Sequence, residues 1–553
     1  MDADRIDADR IVADRVATDR VVIVGGGIAG LATAALLARD GRRVTLLEQR
    51  DALGGRAGLW EADGFRFDTG PSWYLMPEVF DHFFRLLGTS AAEQLDLVTL
   101  DPGYRLFAES GGDPLDVRAD GRGNRALFES LEPGAAAALD RYLESAAETY
   151  RLAVDRFLYA TFATPGALLD PAVLRRAARL ARLLLEPLDR YAAGFVRDTR
   201  LRQLLGYPAV FLGTSPGRAP SMYHLMSHLD LDDGVRYPMG GFTELIRRIA
   251  ALAESAGAEL VTGARVTAIR TEPGRGRRAR ATGVEYVDAA GRSRVAEANV
   301  VVSAADLHHT ETALLPPSLR THPERSWDRR DPGPGAVLAM LGVRGALPEL
   351  THHNLFFTTD WEAGFARIYG ARRGFGRGTV LPDPASLYVC KPSATDPGVA
   401  PEDSENLFLL IPVAADVSIG RGGVDGAGDR LVEKTVDAAV AQVGAWAGIP
   451  DLADRIVLRR TVGPDDFAQD FNSWMGGALG LAHTLRQSAF FRPGNASKRV
   501  DGLLYAGSST IPGIGLPMCL ISAELVLKRL RGDDSAAPLP EPLHPVTAGE
   551  RVP

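Results

Sequence analysis

Three glycines and one acid near the N-terminus have the spacing of a nucleotide-binding loop. Gly25, Gly27 and Gly30 fit the pattern G-x-G-x-x-G, and Glu48 follows them in the chain. In such a loop the first glycine permits a tight turn, the second lets the backbone approach a pyrophosphate, and the third allows close helix–strand packing. A carboxylate at Glu48 would accept hydrogen bonds from ribose hydroxyls. These residues predict a site for the ADP half of a dinucleotide.

The glycines and the acid can meet only if a strand, a helix and a second strand carry them. The run Val21–Val24 is apolar and β-branched, which is typical of a strand buried on both faces. A helix that begins near Ile28 would point its free N–H groups and its positive dipole end at the pyrophosphate. An ordinary βαβ turn is the alternative interpretation.

A second glycine turn narrows the choice of cofactor. The acid at Glu48 disfavours the 2′-phosphate of NADP and leaves NAD and FAD. Gly54, Gly55 and Arg56 follow shortly after it, and the turn can lie along a pyrophosphate with Arg56 supplying charge and donors. A surface ion pair is the alternative for Arg56. With the segment 64–72 (GFRFDTGPS), this turn resembles the N-terminal fingerprint of flavoprotein oxidoreductases of the amine-oxidase and carotenoid-desaturase kind.

A second strand–loop–helix unit lies near the C-terminus. A strand is predicted at 503–506, Gly507 begins a loop that also contains Gly513 and Gly515, and Pro517 suits the first turn of a helix. The positive end of that helix would face the N1–C2=O edge of a flavin, where negative charge accumulates on reduction. Gly507, Gly515 and Pro517 therefore join the predicted cofactor site. A plain strand–loop–helix that closes the sheet is the alternative.

Composition excludes several classes of function. The 553 residues are 46% hydrophobic and 24% charged, as in a folded protein large enough for two domains. The net charge of −8 argues against a nucleic-acid partner. Two cysteines without a CxxC motif support neither a disulfide scaffold nor a thiolate metal site, and favour a reducing compartment. The adjacent pairs His308–His309 and His352–His353 suit loop or surface positions, so we predict no metal.

The pattern predicts an α/β protein with a Rossmann-like FAD domain and an inserted, mixed α+β substrate domain. Strands predicted within 259–306 would rejoin the parallel sheet through the buried run 299–303. The predicted division follows from these segments: a disordered tail at 1–19; a discontinuous FAD-binding domain at 20–100, 235–310 and 495–531; a substrate- and membrane-facing domain at 101–234 and 311–494; and a disordered tail at 532–553.

The whole pattern resembles the bacterial phytoene desaturase (carotenoid desaturase) family over about residues 20–530. The segments that carry the resemblance are GVRYPMGGF (234–242), SLYVCKPSATDPGVAP (386–401), FFRPGNAS (490–497) and, as the most discriminating, YAGSSTIPGIGLPMCLISAE (505–524). The chain departs from the family at Ile511, where a His is more common, and at Met518, where a Gly is more common. These departures concern the particular substrate and the number of steps.

The resemblance implies an FAD-dependent enzyme that desaturates an acyclic carotenoid precursor, of the phytoene-to-lycopene type. Flavin N5 would accept a hydride, and oxygen or a membrane quinone would reoxidise the cofactor. Such a hydrocarbon offers no polar handle, so an apolar tunnel must recognise it. Aromatic residues suited either to that tunnel or to an ordinary core are Phe157, Tyr159, Phe162, Phe195, Phe211, Phe356 and Phe357. The sequence identifies no catalytic acid or base.

The substrate of such an enzyme dissolves in lipid, which requires access to a bilayer. The segment 171–196 has Arg175, Arg176, Arg179 and Arg182 among leucines, a basic amphipathic pattern suited to an anionic surface or to an ordinary surface helix. We find neither a secretory signal nor an apolar run long enough to span a membrane. We therefore expect a cytoplasmic protein, peripherally associated with the inner face of the cell membrane.

Three other functions stay open at this point. A flavin amine oxidase of the same fold would act on a polar amine, although only four lysines are available for the lysine-bound water that such enzymes use. A carotenoid isomerase or saturase would work without net desaturation. A non-catalytic prenyl-lipid chaperone, resembling Rab GDP-dissociation inhibitors, would bind a lipid tail without redox chemistry. The intact glycine and acid set favours a retained cofactor.

Overall fold

A computed structural model describes residues 19–163, 171–274, 276, 278–370 and 381–545 of the chain. Almost all of the predicted N-terminal tail lies outside these residues. The strands are β1 (Arg20–Val24), β2 (Arg43–Leu47), β3 (Leu59–Ala62), β4 (Phe65–Asp68), β5 (Leu97–Thr99), β6 (Tyr104–Ala108), β7 (Leu115–Val117), β8 (Arg236–Pro238), β9 (Glu259–Val261), β10 (Arg265–Pro273), β11 (Ala279–Val287), β12 (Ser293–Glu297), β13 (Val300–Ser303), β14 (Gly335–Arg344), β15 (His353–Phe357), β16 (Leu387–Cys390), β17 (Ser404–Val413), β18 (Ile456–Val462), β19 (Val500–Asp501) and β20 (Leu503–Tyr505).

The helices come from the same described residues. They are α1 (Ile28–Arg39), α2 (Pro77–Leu86), α3 (Ala91–Gln94), α4 (Gly121–Leu131), α5 (Ala135–Ala153), α6 (Pro171–Arg175), α7 (Ala177–Leu185), α8 (Leu188–Ala193), α9 (Thr199–Gly206), α10 (Pro208–Phe211), α11 (Met226–Leu231), α12 (Phe242–Ser255), α13 (Leu307–Thr312), α14 (Glu324–Trp327), α15 (Trp361–Gly370), α16 (Arg430–Ala447), α17 (Pro464–Phe471) and α18 (Leu516–Arg531). A π-helical turn, Val154–Leu158, continues α5.

A five-stranded parallel sheet forms one half of the molecule, in the order β20-β13-β1-β2-β9. Its central strand β1 is buried from Val21 to Val24, as the apolar run predicts. Helix α1 connects β1 to β2 and is buried along nearly its whole length, because α12 and α18 pack against it. Strand β13 rejoins this sheet, so that prediction is confirmed. The predicted Rossmann-like fold class is confirmed as well.

A seven-stranded, largely antiparallel sheet forms the other half, in the order β18-β14-β17-β16-β15-β6-β7. Its central strand β14 is buried on both faces. Alternate residues of β14 belong to two different cores. Leu338 and Met340 face one core, whereas Val337 and Leu341 face a second core, which α16 covers. The strands of the five-stranded sheet all lie in the segments predicted for the FAD-binding domain, and those of the seven-stranded sheet lie in the segments predicted for the substrate domain. The domain boundaries themselves stay a prediction.

The segment after α18 differs from the prediction of a disordered tail. Leu539 and Leu543 are only 2% and 1% exposed and join the core around α1. The backbone N–H of Leu539 donates to Glu524 at 2.6 Å. Disorder is therefore wrong for residues 532–545, because two leucines in a Pro-rich run supply enough apolar surface to dock it. Residues 546–553 lie outside the described part of the chain.

Two buried cations at the end of α18 connect it to the chain that follows α5. Lys528 Nζ donates to the carbonyl oxygens of Tyr159, Ser535 and Ala537 at 3.0, 2.8 and 2.6 Å. Arg529 donates to the carbonyl oxygen of Thr161 at 2.5 Å. Helix α18 therefore holds the C-terminal segment and residues 159–161 together.

Candidate functional site

One large cavity, of about 780 Å³, runs between the two sheets. At one end it is bordered by the carboxyl ends of β1, β2, β13 and β20 and by the glycine turns that follow them. The carboxyl edge of a parallel sheet is where ligands bind in open α/β folds. Side chains from the seven-stranded sheet and from α6 and α7 border the rest of the cavity.

The first glycine turn leaves a stretch of bare backbone at the cavity wall. Gly25 has φ +103°, a conformation that side chains other than hydrogen rarely adopt. Gly27 lines the cavity, and a Cβ built there would meet only Gly54 O, at 3.9 Å. Gly30 faces the strand instead: a Cβ there would lie 1.9 Å from Gly25 O. The third glycine therefore allows the helix to pack closely on the strand, and the first two shape the cavity.

The Glu48 carboxylate is held in place by backbone donors. It is 6% exposed and lines the cavity at the end of β2. Its Oε2 accepts from Gly26 N at 2.6 Å and its Oε1 accepts from Arg50 N at 2.9 Å. Two such bonds orient the carboxylate, and its remaining lone pairs stay available to a ligand.

The second glycine turn lies directly against the first. Gly54 N donates to Gly26 O at 2.9 Å, and a Cβ on Gly55 would lie 3.2 Å from the Gly27 Cα. Gly54 and Gly55 both have positive φ, of 109° and 57°. Together the two turns form a cradle made of backbone, the kind of surface that a diphosphate approaches closely.

Arg56 is a buried cation that the described residues satisfy only in part. Its Nη2 donates to Ser473 Oγ at 2.8 Å, whereas its buried Nε has no partner there. Burial lowers the pKa of Arg56, and the negative charge of Asp306 opposes that effect. A guanidinium placed beside a backbone cradle with free donors suits an anionic ligand such as a diphosphate.

The C-terminal loop completes this end of the cavity. Gly507 N donates to Ser522 Oγ at 2.9 Å, and Gly507 and Gly515 have φ values of 113° and 118°. Helix α18 begins at Leu516 with Pro517 in its first turn, as predicted, and residues 514–519 line the cavity. The unpaired N–H groups of this helix start at the cavity wall.

Nine of the ten predicted cofactor residues line this cavity, and Gly30 alone lies behind it. Their role in binding stays a prediction. Sequence reasoning missed Asp306, which lines the cavity and caps α13 by accepting from His309 N. An acid directly after the strand-like run 299–303 was a usable signal. It also missed Ser473 and His483, which have no local motif and reach the site only through the fold.

The other end of the cavity opens between α7 and the chain that follows α5. Apolar side chains line this mouth, among them Phe157, Leu158, Phe162, Val173, Leu180, Leu184 and Phe490. Phe490 lines the cavity and is 41% exposed, so the cavity reaches the surface here. Leu185 and Phe491, which follow the lining residues Leu184 and Phe490 in the chain, are 72% and 56% exposed. Of the predicted tunnel aromatics, Phe157, Phe162 and Phe211 line the cavity, whereas Tyr159, Phe195, Phe356 and Phe357 do not.

The predicted basic helix is divided into α6, α7 and α8. Arg176 and Arg179 both contact Glu148, and Arg182 pairs with Glu186 at 2.9 Å. Part of the positive charge expected on this face is therefore neutralised within the protein. Among the described residues, no helix is both apolar and long enough to cross a membrane.

The inner part of the cavity lies beneath the seven-stranded sheet. Leu338, Phe408 and Leu410 line it from β14 and β17, together with Tyr388 from β16 and Trp73. Tyr388 Oη lies 2.7 Å from Ser72 Oγ and 2.7 Å from His353 Nδ1, so this phenol is fixed by two partners. Leu338, Phe408 and Leu410 make the rest of this wall apolar, apart from Ser72 and the Trp73 indole N–H.

The histidine pairs do not occupy the loop and surface positions predicted for them. His352 and His353 are 3% and 0% exposed; burial lowers the pKa of His352 to about 3 and that of His353 well below its usual value. With Cys390 they are the one group in the described part of the chain whose three potential metal-ligand atoms lie within 4.8 Å of one another. The His353 ring stacks on Trp73, the His352 ring is tilted against Tyr237, and each Nδ1 contacts a hydroxyl. Both Nε2 atoms are buried without a partner among the described residues, and the absence of a metal here stays a prediction.

The second pair, His308 and His309, lies on α13 rather than in a loop. His308 stacks on Trp474 with ring centroids 5.5 Å apart, and His309 lines the cavity. Burial lowers the pKa of His309. The surface prediction is wrong here as well, because the helix that Asp306 caps turns this pair toward the cofactor end of the cavity.

Comparisons with known proteins agree with this geometry. Residues 28–526 match the family described as flavin containing amine oxidoreductase. A carotenoid 3,4-desaturase from Haloarcula japonica is 39% identical, over 92% of this chain and 98% of that protein. A zeta-carotene-forming phytoene desaturase from Myxococcus xanthus is 35% identical, over 92% and 93% respectively.

Solved structures share the fold at low identity. An oxidoreductase from Methanosarcina mazei superposes with a TM-score of 0.60 at 16% identity, covering 92% of this chain and 100% of that one. A wild-type putrescine oxidase bound to putrescine gives a TM-score of 0.56 at 15% identity, covering 93% and 99%.

Proposed function

The chain belongs to the family of flavin-containing amine oxidoreductases and, within it, to the carotenoid desaturases, and we propose that its substrate is an acyclic polyene of the phytoene-to-lycopene series. It is an FAD-dependent oxidoreductase that acts on carbon–carbon bonds of a carotenoid. The position of the new double bond and the number of steps are the open parts of this assignment.

The observation that carries the proposal is one apolar cavity that connects the backbone cradle to an apolar mouth. A hydrocarbon chain has no group to hydrogen-bond, so its binding free energy must come from burial, at about 25 cal/mol per Å². The leucine and phenylalanine wall from the mouth to Leu338 and Leu410 supplies that surface. A polar amine would find few partners along such a wall.

The residues at the cradle fit FAD. Glu48 would accept from the ribose hydroxyls, and Gly25, Gly27, Gly54 and Gly55 would surround the diphosphate. Arg56, which lines the cavity and contacts Ser473 through Nη2, would donate to its oxygens. The first turn of α18, after Gly507 and Gly515, would face the flavin with its unpaired N–H groups.

The protein itself contributes to desaturation by positioning the substrate beside the cofactor and by excluding water. Desaturation removes a hydride and a proton from a saturated CH₂–CH₂ unit of the polyene; bound FAD would supply the hydride acceptor, and the proton would pass to a basic group or to water. The apolar wall would hold the hydrocarbon chain of the substrate in an extended form. Placing the two reacting atoms within about 3 to 3.5 Å of each other is the main contribution that a protein can make to such a step. Trp73 and the fixed Tyr388 phenol close the wall on the inner side.

We also propose that the protein docks on a membrane through the mouth. The exposed side chains Leu185, Phe490 and Phe491 lie at or next to the lining residues Leu184 and Phe490, where a lipid-dissolved substrate would enter. Because Arg179 and Arg182 of α7 are paired with Glu148 and Glu186, the apolar side chains carry this proposal. A membrane quinone or oxygen would then reoxidise the cofactor.

The pigment made in cells tests the function. Expression in cells that accumulate phytoene is expected to yield a product whose absorption moves to longer wavelength with each conjugated bond added. Unchanged phytoene, from cells that contain the flavin-loaded protein, would refute the phytoene series. Feeding of later, partly desaturated carotenes in the same strain background then locates the bond that is made.

A further inference from the structure

A segment distant in sequence closes the cofactor end of the cavity, and it was not part of the predicted site. Residues 470–477 comprise the last two residues of α17 and the turns after it, and Asp470, Phe471 and Asn472 line the cavity. We refer to these residues as the 470–477 segment. It belongs to the half of the chain that was assigned to substrate rather than to cofactor.

Three residues after Glu48, namely Gln49, Arg50 and Arg56, hold this segment. Gln49, the residue after Glu48, donates through Nε2 to Asp470 O at 2.8 Å and accepts from Asn472 Nδ2 at 3.3 Å. Arg50 lies over the ring of Phe471, at 5.2 Å from the centroid. The third contact, between Ser473 and Arg56, differs from the others because its acceptor meets a cation at the cradle.

The Ser473 hydroxyl is oriented for this contact. A serine hydroxyl has one hydrogen to give, and here it is donated to Gly477 O. The oxygen lone pair is then directed at Arg56 Nη2, 2.8 Å away, and Ser473 is 5% exposed. This contact fixes the direction of the Arg56 side chain, which lines the cavity beside the glycine turns.

The backbone of the segment is held in an unusual conformation. Asn472 and Met475 have φ values of 52° and 58°, and Gly476 has 74°. Left-handed conformations at residues other than glycine are uncommon and persist where surrounding contacts enforce them. Two of them flank Ser473 and Trp474 in the chain, and the first, Asn472, also lines the cavity and contacts Gln49.

We propose that Ser473 is a positioning residue for Arg56 and that the 470–477 segment is the clasp that retains FAD. The segment lines the cofactor end of the cavity through Asp470, Phe471 and Asn472. Ser473 sets the direction of the Arg56 donors before the cofactor arrives, which lowers the ordering cost of binding. Release of FAD then requires the contacts of Gln49 and Arg56 with the segment to break. This inference rests on the proposed cofactor site.

The test is FAD affinity in a double-mutant cycle, measured by fluorescence titration of the FAD-free protein. Ser473→Ala is expected to weaken FAD binding about 10-fold and to speed its dissociation, since the acceptor for a buried charged donor is lost. Arg56→Ala is expected to weaken binding further. Because Ser473 acts through Arg56, adding Ser473→Ala to Arg56→Ala should change affinity by less than about 2-fold. Equal effects in both backgrounds would overturn the proposal.

Two controls separate positioning from stability. Ser473→Thr keeps a hydroxyl and is expected to retain wild-type affinity. Ser221→Ala removes a buried hydroxyl that donates to Leu183 O and lies outside the cavity lining, and it should leave FAD affinity unchanged. A purely structural Ser473 would lower the melting temperature of the FAD-free and FAD-loaded proteins equally, with no change in affinity, and that result would refute the inference.

Failure of the inference is distinguishable from failure of the proposed site. If the wild-type protein takes up no FAD, the cofactor site itself is wrong. If the wild type binds FAD and Ser473→Ala binds it equally well, the cofactor site stands and the clasp does not.

Discussion

The two ends of the cavity are built by different means. At the cofactor end the wall is mostly backbone, at glycines where a side chain would collide with a neighbouring turn or would fill the cradle. At the mouth and beneath the seven-stranded sheet the wall is mostly leucine and phenylalanine side chains. The first kind of wall depends on residue identity at fixed spacings, whereas the second depends on total volume and tolerates exchange. The two ends should therefore respond differently to substitution.

The largest effect is expected at Gly30, where the backbone of α1 packs directly on the backbone of the first glycine turn. Gly30→Ala places a Cβ 1.9 Å from Gly25 O, so we expect the free energy of unfolding to fall by about 3 kcal/mol and FAD binding to be lost. Gly27→Ala meets nothing nearer than 3.9 Å, so the FAD-free protein should keep its stability within about 0.5 kcal/mol while binding FAD more weakly. Urea unfolding and FAD titration of both variants measure this. Equal stability losses would remove the distinction between the two glycines.

A second prediction concerns the inner wall. Leu338→Trp adds bulk beneath the seven-stranded sheet, where the polyene would lie, and is expected to lower desaturation about 100-fold while FAD binding is retained. Product formation and FAD titration are the measurements. Leu341→Met, on the other face of the same strand, is a volume-conserving control that should stay near wild type. Full activity of Leu338→Trp would mean that substrate does not reach this wall.

A third prediction tests the mouth alone. Leu185→Ser combined with Phe491→Ser removes exposed apolar surface without touching the cavity lining, and should lower binding to anionic vesicles about 10-fold. The matched control is Val424→Ser with Val457→Ser, which removes apolar residues of 47% and 46% exposure elsewhere. Flotation with vesicles of anionic lipid measures both. If the two pairs behave alike, the mouth is not the docking surface.

The smallest effect is expected at His82 on α2, which does not line the cavity. Burial alone would lower the pKa of His82, but hydrogen bonds with Glu524 and Glu541 raise it overall. A raised pKa in the folded state stabilises the protein below the unfolded value of about 6.5, and that stability is lost as the pH rises through the folded value. His82→Gln should therefore cost about 1 kcal/mol at pH 6 and little at pH 9. Urea unfolding at both pH values checks it; a loss that is equal at both would contradict the linkage.

The difference between the ends also explains what the sequence could predict. The positions of Gly25, Gly54 and Glu48 around one cradle followed from spacing, because local turns and strand ends bring them together. Arg56 was identified by its motif, but its partner Ser473 lies 417 residues away and carries no pattern of its own. Such a contact is a product of the whole fold.

The substrate end was predictable in kind but not in detail. An apolar tunnel followed from the family resemblance, yet Phe211 lines it and Phe357 does not, although both are aromatic residues in apolar surroundings. The burial of His353 was missed because the sequence does not show that Trp73 provides a stacking partner. The docking of Leu539 was missed because a Pro- and Ala-rich composition suggested disorder, and two leucines were enough to reverse that outcome.

Helix α18 connects the two ends of the cavity. Its first turn carries the Gly515 loop, and its last turn holds the carbonyl oxygens of Tyr159 and Thr161 through Lys528 and Arg529. With 16 residues it is about 24 Å long. Because an α-helix is stiff along its axis, the Gly515 loop and residues 159–161 keep a nearly constant separation. Substrates of different length would therefore differ in how far they extend beyond the mouth, because the length of the cavity does not adapt to them.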